Sequence, residues 1–189
     1  SYSAGARPTM PHITGGRYGL SSKELTPAMI KGIFDAMSGD IRNSFTVGIT
    51  DDVSFSHLEV PDFLLDKSKA ATSAIFYGLG SDGTVSANKH SITIIGDSTD
   101  LYAQGYFEYD SKKAGAITIS HLRFGPDPIR AAYLIQPGEA DFVGCHQSQF
   151  MTRFDLLDRA ADNGVFLLNT SVPPEDVWAS LPANVRWHI

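Results

Sequence analysis

The residues most suited to chemistry lie between positions 76 and 89, FYGLGSDGTVSANK, where Gly78-x-Gly80-x-x-Gly83 closes an apolar run and opens a helix-like segment. A strand, a G-x-G-x-x-G turn and a helix together aim backbone N–H groups and a helix N-terminus at an anion such as a pyrophosphate. The fuller dinucleotide fingerprint also needs an acid about 20 residues onward to hold the ribose. Here Asp97 and Asp100 fall before the next strand, and Glu108 and Asp110 fall late in it. Asp82 sets a negative charge inside the turn, where it suits a helix cap accepting backbone N–H bonds. The turn is not a P-loop, which needs Lys-Ser or Lys-Thr straight after a glycine. Two readings stay open: a tight turn with its cap, or direct contact with a ligand.

Other candidates are weaker. Cys145-His146 offers a nucleophile beside a base, but neighbours on a strand point to opposite faces, so Cys145 is expected in the core. Asp51-Asp52 follows a short β-rich run and could bind a hard cation, although a turn or cap at a strand end fits it better. The six histidines are scattered, with no H-x-x-x-H pair, and His121 reads as a hydrogen-bonded core residue. The run Asp110-Ser-Lys-Lys113 suits a solvated turn or an interdomain face. Arg123 could pair with a carboxylate or a phosphate, and a structural salt bridge is the better fit.

These groups must be positioned by regular elements. Residues 1–21 hold glycines and prolines without an apolar period and read as an arm. Residues 26–39 spell a helix: Thr26 as N-cap, Pro27 at the first position, a stripe of Met29, Ile30, Ile33, Phe34 and Met37, and Gly39 to stop it. Strands are expected at 44–49, 70–78, 101–109, 116–124, 131–135, 140–145, 165–169 and 185–189. Helices are expected from about residue 85 to Gly96, from about Ser148 to Asn163 with Phe150, Phe154, Leu157 and Ala161 inward, and over 173–181. This alternation predicts an α/β three-layer sandwich with a mixed or largely parallel sheet, as a single domain over 22–189. With a last strand beginning at the final residues, the domain is expected to be truncated at its C-terminal side.

The totals narrow the class. The chain has 189 residues, 42% hydrophobic and 19% charged, with a net charge of −6 and a pI near 5.4. That size suits one ordinary domain with its own core. An acidic balance argues against a general nucleic-acid or membrane-surface binder, because both require a basic face. No apolar run approaches the roughly 20 residues of a membrane helix. One cysteine forms no internal disulfide and cannot ligate a cluster or a cysteine zinc site alone, which points to a cytoplasmic protein.

Five blocks in order, GGRYGLSSKELTPAMIKGIFD, FTVGITDDVSF, YGLGSDGTVSANKHSITIIG, YAQGYFEYDSKKAG and ISHLRFGPDPIR, resemble the gamma-type domain of the pyruvate:ferredoxin (flavodoxin) oxidoreductases. The resemblance runs from about Thr14 to the last residue. It implies a thiamine diphosphate and magnesium enzyme that cleaves pyruvate, sends electrons through iron-sulfur clusters to ferredoxin or flavodoxin, and gives the acetyl group to coenzyme A. The thiamine and cluster modules lie elsewhere in such polypeptides, so this piece is expected to bind no cofactor alone and to carry no catalytic or metal-ligating residue. Its implied roles are packing against the other modules and contributing to the coenzyme A site. The residues expected there are Ser21, Ser22 and Lys23, the turn residues Gly80, Ser81 and Gly83, and the cations Lys89 and Arg123. A purely structural interface module, the related domain of a sulfite reductase flavoprotein subunit, and an autonomous nucleotide-binding enzyme are the alternatives.

Overall fold

The computed structural model describes residues 12–19, 24–39, 43–63, 71–109, 116–130 and 134–189. The chain forms two compact units, Ser1–Leu65 and Asp66–Ile189. The first takes in the segment expected as an arm, part of which is strand β1 (Gly16–Tyr18), lying parallel to β2 (Phe45–Val47). Gly16 must lack a side chain, since a Cβ there would lie 2.2 Å from the Phe45 ring.

Helix α1 (Pro27–Met37) starts as its sequence dictates. The Thr26 hydroxyl accepts the Met29 N–H at 3.3 Å, and Pro27 takes a first-turn position where no N–H is needed. Gly32 packs against the backbone near Glu59, whereas Ile30, Phe34 and Met37 form an exposed stripe. After β2 the chain turns around Asp51, as expected of a strand end. One carboxylate oxygen accepts the N–H groups of Val53 and Ser54 at 3.1 and 3.0 Å, and the other accepts the hydroxyls of Ser54 and Ser56. The Ser54 hydroxyl foremost, with these other bonds, holds that carboxyl well below the usual carboxylate range.

The second unit is a five-stranded sheet in the order β4-β5-β3-β6-β7: β3 (Thr72–Leu79), β4 (Tyr102–Tyr109), β5 (Ile117–Gly125), β6 (Ala140–Cys145) and β7 (Ala160–Leu168). Strands β3, β6 and β7 run parallel, while β5 is antiparallel to both β3 and β4. The sheet is therefore mixed. One face carries Ile75, Tyr77, Val143 and Cys145, which form a core with Phe150, Leu156, Leu157, Leu181 and Val185. Helices α3 (Pro174–Ser180) and α4 (Ala183–His188) supply the covering layer there. Helix α2 (Thr84–Ser98) covers β3, β5 and β4 on the opposite face, which completes three layers. That helix stops short of β6 and β7. Phe76 and Phe142 are half-buried beside it, and Val165 and Leu167 are 57% and 46% exposed. No described helix is long and apolar enough to cross a membrane.

Two expectations fail locally. The helix expected over 148–163 is a short 3-10 turn (Ser148–Thr152) followed by irregular chain and then β7. Neighbouring pairs, Phe150 with Met151 and Leu156 with Leu157, are all buried, and one helical stripe cannot bury adjacent residues in both places. The edge of β6 also captures the segment, because the Ala140 N–H donates to the Arg159 carbonyl at 2.7 Å and Ala140 pairs with Ala160. Residues 185–189, expected as a strand, begin inside α4. Pro182 opens that helix, and Val185 alone turns inward while Trp187 is exposed. Of the strand expected at 131–135, residues 131–133 lie outside the described residues, and Leu134 and Ile135 form no regular element.

Between β4 and β5 sits a buried histidine. His121 Nδ1 accepts the Ile135 N–H at 3.3 Å, so Nε2 carries the hydrogen and donates to Glu108 at 2.7 Å. Arg159 approaches the same carboxylate at 4.0 Å. Burial raises the Glu108 pKa, but the hydrogen bond from His121 and the nearby Arg159 charge outweigh it and lower the value below its ordinary 4.5. A depressed carboxyl adds stability above its unfolded pKa and loses it as pH falls through the folded one. Glu108→Gln is therefore expected to flatten the acid limb of a denaturation-versus-pH profile below about pH 4 to 5. Gly32→Ala places a Cβ 2.7 Å from the Glu59 carbonyl oxygen. Overpacking of that kind costs about 1–3 kcal/mol, against about 1 kcal/mol gained by alanine in a helix, so urea denaturation should show net destabilisation of the first unit.

Candidate functional site

The turn after β3 is built around one carboxylate. Asp82 Oδ2 accepts the Leu79 N–H at 2.8 Å, and Oδ1 accepts the Thr84 N–H at 2.9 Å. Burial alone would raise its pKa. The backbone bonds from Leu79 and Thr84, with side-chain bonds from Thr84 and Gln147, lower it instead. Asp82 thus fills, from within the chain, the N–H groups that a bound pyrophosphate would take in a dinucleotide fold. The expectation that Asp82 caps the helix holds in this form, although the formal cap position is Gly83 at φ 85°. That left-handed backbone favours glycine. Gly78 is required for a different reason: a Cβ there would lie 2.4 Å from Thr84 Oγ1. Around Gly80 and Gly83 there is open space, so the outer rim of the turn is accessible.

Parallel pairing brings other polar residues to the same end of the sheet. His146 follows β6 and donates its N–H to the Tyr77 carbonyl at 2.9 Å, with its ring stacked on Phe76 at 6.1 Å. Asn169 follows β7, its N–H donating to the Cys145 carbonyl at 2.9 Å and its side-chain amide to the His146 carbonyl at 3.2 Å. The carboxyl ends of β3, β6 and β7 therefore form a polar rim of Gly80, Ser81, Asp82, His146, Gln147 and Asn169. Ligands of open α/β sheets bind at such carboxyl ends. The sequence does not single out Gln147 and Asn169, and it offers His146 only as a base beside Cys145. The signal available was their position just after strands expected at 140–145 and 165–169.

The predicted cations do not all converge. Lys89 lies on the exposed side of α2, about 7.5 Å along the helix from Thr84, with its ammonium 5.3 Å from the Phe107 ring centroid. Arg123 lies at the other end of the sheet. It pairs with Ser73, six residues or about 20 Å of strand from Leu79, is buried, and approaches Glu139 at 3.7 Å. Strand parity also puts it on the face away from α2. It occupies the salt-bridge position rather than the rim. Ser21, Ser22, Lys23 and the run 110–113 lie outside the described residues. The Cys145 thiol is buried in the core, donates to the Gln147 carbonyl and has its pKa raised chiefly by that burial. His146 faces away from it, so the two make no catalytic pair.

The family description for pyruvate ferredoxin/flavodoxin oxidoreductase matches residues 73–188. The chain belongs to that family. It is 53% identical over 177 residues to a pyruvate-flavodoxin oxidoreductase of Rhodospirillum rubrum, covering 93% of this chain. With a pyruvate-flavodoxin oxidoreductase of Nostoc sp. it shares 52% identity over 181 residues, 95% of this chain. The pyruvate:ferredoxin oxidoreductase of Moorella thermoacetica is 51% identical over 175 residues, 92% of this chain. The chain spans about 15% of the length of each of these oxidoreductases. A solved pyruvate oxidoreductase subunit, PORC of Thermotoga maritima, aligns with a TM-score of 0.48 at 18% identity, over 60% of this chain and 57% of that one.

In this family member the Asp82 clasp is open to test. Asp82→Ala removes the acceptor for the Leu79 N–H at the end of β3 and the Thr84 N–H at the start of α2, and loss of such a cap costs about 1 kcal/mol. Thermal denaturation should register that loss. Asp82→Asn, which keeps one acceptor oxygen, should recover part of it.

Proposed function

We propose that this chain is a non-catalytic domain of a pyruvate:ferredoxin or pyruvate:flavodoxin oxidoreductase, where it contacts coenzyme A and packs against the other modules. The observation that carries this reading is identity above 50% across more than nine-tenths of the chain to enzymes of which it spans about 15%. The parent reaction is then the oxidative decarboxylation of pyruvate to acetyl-coenzyme A, with ferredoxin or flavodoxin taking the electrons. Thiamine diphosphate, magnesium and iron-sulfur clusters belong in this reading to the other modules. A cysteine-ligated iron-sulfur cluster does not fit here, since the single cysteine is buried in the core.

The chemistry proposed for this chain is binding and exclusion. Ser81 and the open rim at Gly80 and Gly83 offer a hydroxyl and backbone groups to a phosphate. Lys89 supplies a mobile point charge near the same end of α2. Lys23, with Ser21 and Ser22, is proposed as a further contact on the family resemblance alone. Arg123 is left out of this set because it is buried beside Glu139.

Packing is supported by a separate observation. The face of β6 and β7 that α2 leaves open carries Phe142, Val165 and Leu167, and parallel strands are ordinarily covered on both faces. The proposed cover is the remainder of the parent polypeptide, which would also help keep water from the shared active site.

Lys89→Ala in the full-length enzyme tests the coenzyme A contact. KM for coenzyme A is expected to rise several-fold while KM for pyruvate stays the same. An unchanged coenzyme A dependence would reject the role of Lys89 and favour the purely structural reading.

A further inference from the structure

The underside of α2 breaks the usual pattern for a helix on a sheet. Its two buried residues, Thr84 and Asn88, are both polar, where an amphipathic helix ordinarily buries an apolar stripe. Thr118 and Ser120 of β5 are buried as well, at 2% and 0% exposure. Among the described residues, the Thr118 and Ser120 hydroxyls and the Asn88 amide nitrogen have no hydrogen-bond partner.

Register places these three groups in one seam. Thr118 lies opposite Gly78 and Ser120 opposite Phe76 in the β3–β5 ladder, so both point to the face that α2 covers. Thr84 sits against Gly78. Two turns onward, Ile92 sits against Gly105, which pairs with Leu122. From Thr118 to Leu122 the strand spans about 13 Å, and from Thr84 to Ile92 the helix spans about 12 Å. The Gly78 and Gly105 contacts lie on the strands flanking β5, so the helix crosses β5 from β3 towards β4, and Asn88, midway between Thr84 and Ile92, falls on the stretch that passes over β5. Among the described residues, His121 and Arg123 point by strand parity to the opposite face, Glu139 stands beside Arg123, and the exposed Lys89 lies over Phe107.

We propose that this seam is an internal hydration site, holding water that accepts from the Asn88 amide and bridges the Thr118 and Ser120 hydroxyls. Three neutral groups that can donate, two of which also accept, match water and not an ion. A buried water typically satisfies about three otherwise unpaired polar groups. Three groups buried together without partners would each forfeit their solvation. The water ties α2 to the sheet where apolar contact is missing.

The test uses the full-length parent enzyme and two readouts. A crystal structure with ordered solvent should show water within hydrogen-bond distance of Asn88 Nδ2 and of at least one of the two hydroxyls. Ser120→Ala and Thr118→Val each remove one partner of the water, and deuterium uptake across residues 84–98 should rise several-fold in either variant, relative to the unmodified enzyme. The inference is overturned by a seam without solvent density, its hydroxyls turned onto strand carbonyls, or by uptake that is unchanged or slower in both variants. If a variant does not fold, solvent density in the unmodified enzyme decides the matter.

Discussion

A carboxylate that binds its own backbone governs the second unit. Asp82 gathers the N–H groups at the end of β3 and the start of α2, which fixes the direction in which the helix leaves the sheet. With that direction set, Thr84 meets Gly78 and Ile92 meets Gly105. Asn88 and Lys89 are then carried to their places, one inward over β5 and the other outward over Phe107. The same bonds remove the strongest anion-binding groups of the turn, leaving its rim as the accessible part. A turn that looks like a dinucleotide cradle by glycine spacing is closed at its centre by electrostatics.

Much of this was legible in the residues. Thr26-Pro27 specified the start of α1, and the β-rich run 140–145 is β6 to the residue. Asp82 was readable as a cap because a cap is a local device. The failures are non-local. Phe150, Phe154 and Leu157 carry a helical period, yet the segment obeys the open edge of β6, whose demand for a partner cannot be seen from the segment itself. Gln147 and Asn169 join the rim through parallel strand order, which a single sequence does not state. Arg123 was grouped with Lys89 by charge, although its parity along β5 places it on the far face.

The sheet face under α2 divides into two kinds of surface. Beneath the helix it is polar and glycine-containing, with Gly78, Thr118, Ser120 and Gly105. Beyond the helix, at β6 and β7, it is apolar and open. This division separates a region shaped for its own helix from one that α2 leaves open. On the opposite face the titratable groups His121 and Glu108 join β5 to β4, with Arg159 approaching the same carboxylate.

The sequence of β7 has a consequence for the polypeptide in isolation. Val165, Phe166, Leu167 and Leu168 present apolar side chains on both faces of a strand at the sheet margin, with no lysine or proline in the run to discourage pairing. Such a margin is a template for intermolecular β-pairing. Wherever that margin is left bare, the molecule is therefore built to self-associate along β7, and its solubility is a measure of how well the margin is shielded.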